Sequence, residues 1–446
     1  MWNRRVVLFW IAAALFSAAD WAHAILPIQH WQAKNGARVY FVENRSLPML
    51  DVSVGFPAGA AFDSREKSGT ASMTNRLLRL GAEGLDEQAI ASRLADVGAQ
   101  LGGQFNTDHA GLSLRTLSSN AEREQALDIL ARLLARPIFP EAVLEREKAR
   151  LASAIREADT KPDTLASVTF YRLLYRDHPY SQRSSGDVAS VERLTRQDLL
   201  DFYRRHYVAR HAVVAMIGDA SREQAEAIAE QLTAGLQEGD VRVPDLPPVG
   251  ALAEPVTRFI AHPATQSHIL VGAPGMRRDD PDYFALFIGN QILGGGGFVS
   301  RLNEELRQKR GLAYSAYSYF SPLRQSGPFL IGMQTQRDQT QEALSLVRAT
   351  LREFLANGPT EAELTAVKKN IVGGFPLRID SNRKIHGYLD LIGAYRLPLT
   401  YLDDFVANVE RVTVGDIRRA FARLDPERMV TVVVGAEDTA ATSAVR

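Results

Sequence analysis

The sequence predicts an α+β protein of two similar domains, each a mainly antiparallel sheet covered by helices. Three observations carry that reading. At 446 residues the chain is too long for one ordinary core. Short β-like runs alternate with longer helical patterns in each half. The second half also repeats landmarks of the first at a nearly constant offset: Gly55 and Gly272 lie 217 apart, as do Gly218 and Gly435, while Thr195 and Thr413 lie 218 apart and Pro140 and Pro359 219 apart. Periodicity alone leaves a doubly wound sheet as the rival architecture.

In chain order, Arg4 and Arg5 precede an apolar run from Val6 to Ala19, and Ala22-His23-Ala24 has the small-x-small form of a cleavage site. Residues 1–24 therefore read as a secretory signal, which places the protein in the periplasm or another exported location. The run is shorter than the ~20 residues of a membrane span, so no span is expected in the mature chain. Cleavage after Ala24 removes Arg4, Arg5 and Asp20 and leaves the formal charge at −1. A chain with 52 basic and 52 acidic residues implies no nucleic-acid partner. Cysteine is absent, which excludes disulfides, a thiol nucleophile and a lipid anchor on cysteine.

Residues 25–240 read as the first domain. It opens with the strand LDVSVGFPAG and closes with HAVVAMIGD, a buried strand ending at Gly218. The Pro-rich segment 241–256 cannot extend a helix or a central strand and reads as the linker. Residues 257–446 repeat the plan, from SHILVGAPG to RMVTVVVGAED. Pro140 and Pro359 each stand just before an acidic helix start, EAVLEREKARLASAI and TEAELTAVKKNIVGG. Ala436 to Arg446 reads as a frayed tail.

The stretch Gly294 to Phe320 combines a glycine run, a helix and an aromatic strand. Gly294, Gly295, Gly296 and Gly297 predict a flexible loop, either a plain connection or one that contacts substrate. Phe298, Leu302 and Leu306 predict one buried helical face ending at Gly311. Beyond it the period becomes two, so that Leu312, Tyr314, Ala316, Ser318 and Phe320 share one face and Tyr317 and Tyr319 the other. Arg307 and Tyr314 are thereby aimed at one place.

These residues carry a resemblance. The duplicated halves, His178-Pro179-Tyr180, the block GGGGFVSRLNEELRQKRGLAYS and the ending VVVGAED resemble the pitrilysin/insulysin-like zinc peptidases, in particular the half-sized branch with mitochondrial processing peptidase. The resemblance implies two α+β domains that form half of a clam-shell chamber, with a partner chain as the other half. Active members carry His-x-x-Glu-His on the first helix of the N-terminal domain. That spacing puts two imidazoles on one face for zinc, with the Glu as base for its water. Here the helix reads GTASMTNRLLRLG: Ser72 and Arg76 stand at the two histidines, Asn75 at the glutamate, and Ser153 at the downstream glutamate ligand. Ser and Asn are poor zinc ligands, and a guanidinium offers only donors. None of the nine histidines forms another such pair, so no cofactor is expected in this chain and zinc is expected in the partner.

In active members an Arg and a Tyr seven apart in the C-terminal domain hold the substrate peptide, and Arg307 and Tyr314 have that spacing. Both are donors, suited to a peptide carbonyl and to the oxyanion formed when water attacks it. The resemblance thus implies a non-catalytic subunit of a heteromeric zinc peptidase that lends Arg307 and Tyr314 to a partner bearing the zinc motif, with a peptide as substrate. The alternative is a structural, assembly or peptide-binding protein that kept the shell without taking part in proteolysis.

Overall fold

The computed structural model describes residues 26–239 and 243–435 of the chain. The predicted signal at 1–24 and the tail at 436–446 lie outside them. In the first half the strands are β1 (Gln29–Gln32), β2 (Arg38–Glu43) and β3 (Met49–Phe56), followed by helix α1 (Thr70–Leu77). Strands β4 (Gln100–Phe105) and β5 (Ala110–Leu117) come next, then helices α2 (Glu141–Ala158), α3 (Pro162–Tyr175) and α4 (Arg196–His206), and strand β6 (Val213–Gly218). The second half runs β7 (Val256–Ala261), β8 (Gln266–Met276), α5 (Tyr283–Asn290), β9 (Ala313–Phe320), β10 (Gly327–Gln336), α6 (Glu361–Gly374), α7 (Asn382–Tyr395), α8 (Val414–Phe421) and β11 (Val430–Gly435).

The duplication holds strand by strand. The first sheet is ordered β1-β2-β6-β3-β5-β4 and the second β7-β11-β8-β10-β9, so apart from β1 the two orders coincide. In each sheet one pair is parallel, β2 with β6 and β7 with β11, and the others are antiparallel. That settles the architecture as α+β rather than doubly wound. The repeated landmarks do the same work twice. Gly218 (φ 148) and Gly435 (φ 129) end corresponding strands with positive φ, where a Cβ would strike the Met49 and Gln266 carbonyls at 2.1 and 2.8 Å. Thr195 and Thr413 cap α4 and α8 through reciprocal bonds with Asp198 and Asp416. Pro140 occupies the N-cap position of α2 without a capping bond, and Pro359 stands one residue before Thr360, which caps α6.

The two cores do not divide at the linker. Ala166, Phe170 and Leu174 of α3 lie in the core of the second sheet with Ile269, Val271, Val432 and Val434. Conversely, Ile385, Leu389 and Ile392 of α7 cover Tyr40, Val42, Val213, Ala215 and Ile217 of the first sheet. Gly393 permits that approach, since a Cβ there would meet Val213 Cγ1 at 2.3 Å. Each half therefore lends the other one helix. The linker is also tied down: Leu246 and Leu252 are buried, and His178 bonds the Pro247 carbonyl at 2.8 Å. At the junction the fully buried Asp108 accepts the hydroxyls of Tyr180 (2.8 Å) and Tyr395 (2.9 Å) and the Arg324 amide (2.7 Å). Among the described residues no helix is long and apolar enough to cross a membrane.

Candidate functional site

The first half of the candidate site is the surface of α1. Asn75 is buried and donates its amide to the Gly111 carbonyl of β5 at 2.9 Å, so it serves as a brace between helix and sheet. Arg76 points outward and pairs with Glu147 of α2, a carboxylate that also accepts Arg146 and Arg150, each at 3.0 Å. Burial alone would raise the Glu147 carboxyl, but the bonds from Arg76 and Arg146 outweigh it and hold the group below its usual range. Arg79, one turn on from Arg76, has its guanidinium shifted down by burial and then by Arg76. Ser72 is half-buried, and Ser153 is exposed. The side chain that α2 presents to Arg76 is Glu147, not Ser153.

These residues do not fit a zinc ion. An amide committed to a backbone carbonyl, a hydroxyl, two guanidiniums and one carboxylate already shared by three arginines supply no ligand set and place positive charge where a cation would sit. Among the described residues no three His, Asp or Glu side chains converge on a metal position.

The second half of the site is the Gly294–Phe320 stretch, and here the structure departs from the expected loop, helix and strand. Gly294 and Gly295 belong to a π turn, Gln291–Gly295, that prolongs α5. Gly294 is buried, and a Cβ on it would lie 2.4 Å from Ser318 Oγ and 2.5 Å from Ser318 N. Its smallness lets this turn pack on β9, and it offers no surface to a substrate. At Gly295 a Cβ would meet Asn290 Nδ2 at 2.7 Å, and at Gly296 the Gln291 carbonyl at 2.6 Å. Gly295 and Gly297 are both exposed, and Gly297 alone of the four has a left-handed backbone, φ +64, with open space around its Cβ position.

The following helix is broken into a 3₁₀ turn (Gly297–Val299), a short α turn (Arg301–Asn303) and a second π turn (Glu304–Gln308). Ser300 is extended, so Phe298 is out of phase with Leu302 and Leu306. Those two are fully buried, whereas Phe298 is 64% exposed. Strand β9 then bulges: Ala313 pairs with Thr335 but Ala316 with Met333, leaving Tyr314 and Ser315 opposite a single residue. Tyr314, within the bulge, is exposed, whereas Ala316 and Ser318 beyond it are buried, and it is Ser315 that lines a pocket with Tyr317 and Tyr319. The expected alternation fails because it ran straight through this bulge.

The result is a compact exposed group. The Arg307 guanidinium lies 4.4 Å from the centre of the Phe298 ring and 4.8 Å from that of Tyr314. Tyr314 is 79% exposed. Among the described residues no carboxylate or carbonyl accepts the Arg307 N–H groups, so its donors remain available beside the two rings. Sequence reasoning missed two residues here. Phe298 was hidden by its apparent helical phase, although an aromatic directly after four glycines was a signal. The buried Asn303 donates to the carbonyls of Gly297 (2.9 Å) and Ala316 (2.5 Å) and so locks the glycine turn to β9; it carries no distinguishing pattern in sequence.

Tyr317 and Tyr319 stack on each other at 6.1 Å beside Asp163 and Ser167 of α3. His178, the first residue of His-Pro-Tyr, caps its own turn by accepting from Tyr180 N at 3.1 Å. That motif is accounted for by the junction between the halves.

Comparison with known proteins agrees with this geometry. Residues 38–187 match the family Insulinase (Peptidase family M16), and residues 193–371 match Peptidase M16 inactive domain. A peptidase M16 inactive domain from Pseudomonas fluorescens is 38% identical and superposes with a TM-score of 0.89 over 93% of this chain and 98% of its own. An uncharacterized zinc protease of Streptomyces coelicolor is 24% identical over 89% of this chain and 87% of that protein. A protein of Helicobacter pylori named non-peptidase homolog YmxG is 25% identical over 85% and 87%. With both halves matched, the two-sheet duplication in place and no zinc motif on α1, the chain is a member of the M16 (insulinase) peptidase family that lacks the family's metal ligands.

Proposed function

We propose that this chain is the exported, non-catalytic subunit of a heteromeric M16 peptidase. It would pair with a family member bearing the His-x-x-Glu-His motif and lend Arg307 and Tyr314 to that partner's active site. The observation that carries this reading is Arg307, lying against Phe298 and Tyr314 with no acceptor of its own among the described residues. A guanidinium and a phenol placed side by side suit a peptide carbonyl whose oxygen gains charge as water attacks.

Zinc in the partner supplies the Lewis acid and the activated water. This chain's own part is to bind and orient an unfolded peptide and to meet the developing oxyanion. The outer strands β4 and β9 end their sheets, so an extended segment can add to either edge through main-chain bonds with little demand on sequence. The test is to purify the chain alone and together with a motif-bearing relative. Alone it should hold no stoichiometric zinc and cleave no unfolded peptide, whereas the pair should co-purify and cleave. One tightly held zinc per isolated chain, or cleavage by the chain alone, contradicts the proposal.

A further inference from the structure

A cavity of about 650 Å³ lies between the two halves, away from the Arg307 group. Five guanidiniums line it; Arg277 is paired with Asp279, and the other four are Arg38 from β2, Arg278 after β8, Arg324 in the β9–β10 turn and Arg396 just past α7. None of the four forms an ion pair with a described carboxylate. Arg38 donates to the Gly393 carbonyl at 2.9 Å and Arg278 to that of Pro322 at 3.3 Å, while Nε of each is buried without a partner. Arg324 approaches Nε2 of His109 at 3.4 Å, and Nδ1 of that imidazole is buried and unpartnered as well.

The acidic side chains of the same cavity are spoken for. Arg277 holds Asp279 through two bonds of 2.9 Å, Asp390 accepts Ser53 and Gln104, and Asp245 already has a partner. Burial above all, helped by the like charges of Arg396 and Arg324 and opposed by Tyr40, lowers the Arg38 guanidinium. Burial likewise pushes His109 down to about 4, so the imidazole is neutral at physiological pH and adds a polar wall.

Like charges gathered in a partly enclosed space repel strongly, because the surrounding dielectric is low. Guanidiniums match oxyanions through paired N–H groups, and such bonds are stronger than neutral ones. We propose that this cavity binds a small polyanion bearing phosphate or carboxylate groups, clasped between Arg38 on one half and Arg278, Arg324 and Arg396 on the other. Because the site spans both halves, its ligand also stabilises their arrangement.

Calorimetric titration of the mature chain with inorganic pyrophosphate and, separately, with citrate, at fixed ionic strength, tests this. Saturable one-to-one binding of at least one probe is expected, with a raised melting temperature. Binding of pyrophosphate alone assigns a phosphate ligand, and of citrate alone a polycarboxylate. Arg324→Gln and Arg396→Gln should each weaken the bound probe at least tenfold, whereas Arg352→Gln on a remote surface should leave it unchanged. Arg396 is exposed, and Arg324 keeps its backbone bond to Asp108, so both variants should fold, which circular dichroism checks. Absence of saturable binding for both probes, or affinities within twofold of wild type in both variants, overturns the proposal.

Discussion

The Arg307 guanidinium stands 4.8 Å from the centre of the Tyr314 ring, which lies seven positions on in the chain and within the bulge of β9. A contact of this kind at an exposed site is worth about 0.5–1 kcal/mol, too little to explain it as a folding device. Tyr314→Phe, which keeps a ring, should therefore change unfolding free energy by about 0.5 kcal/mol or less, Phe298→Ala by about 1 kcal/mol and Arg307→Ala, which loses both contacts, by about 1–2 kcal/mol at most. Urea denaturation of the isolated chain measures this. A loss of several kcal/mol would make the cluster structural.

The charge arrangement on α1 should matter more to stability. Glu147 is buried beneath three guanidiniums that are themselves partly exposed. Glu147→Ala strips all three of their shared acceptor, and charged hydrogen bonds of this kind place the expected cost at about 2–3 kcal/mol. Arg76→Ala leaves Glu147 with Arg146 and Arg150 and should cost about 1 kcal/mol. Equal losses in the two variants would refute the shared-acceptor picture.

The glycine run separates into unlike positions. Gly294→Ala forces a Cβ into the backbone of Ser318, and overpacking of this kind costs about 1–3 kcal/mol. Gly297→Ala meets no neighbour and pays only for its left-handed backbone, about 1 kcal/mol. Thermal melts should rank the first below the second; the reverse order would mean that the turn packs differently.

Acid should unfold the protein partly through His206. This side chain is buried against Phe62 and Phe202, bonds the Pro57 carbonyl, and is pushed down to about 4, first of all by burial. The unfolded imidazole titrates near 6.5, so the unfolded state binds more protons between those values. Stability from this residue is present above pH 6.5 and is lost as pH falls toward 4, by up to roughly 3 kcal/mol. Asp63, raised to about 7 chiefly by burial, has the opposite slope: its contribution is present below about pH 4 and is lost as pH rises through 7. The clean readout is the difference between wild type and His206→Asn, which should shrink on acidification across that window. A constant difference would show that His206 is not the titrating group.

Much of the fold was legible because the duplication repeats residues whose roles are local. Glycines at positive φ, capping threonines and helix-leading prolines act through their own backbone, and so they mark the same point in both halves. The exchange of α3 and α7 was not legible. Phe170 and Ile392 announce an apolar face, but nothing in a helical period says which sheet will cover it. At the site, the spacing of Arg307 and Tyr314 was visible, whereas the break in alternation that leaves Tyr314 exposed was not. That break depends on an extra residue in β9 relative to β10, which only the pairing of the two strands reveals.

The central claim is that Arg307 and Tyr314 act in a partner's active site. Its most direct test is the kcat/KM of the reconstituted pair on an unfolded peptide. With folding and assembly intact, Arg307→Ala should lower it by about 10²–10³-fold, the range for loss of one oxyanion donor, and Tyr314→Phe should lower it as well. Unchanged kcat/KM in both variants would contradict the account and leave this chain a scaffold of the M16 fold.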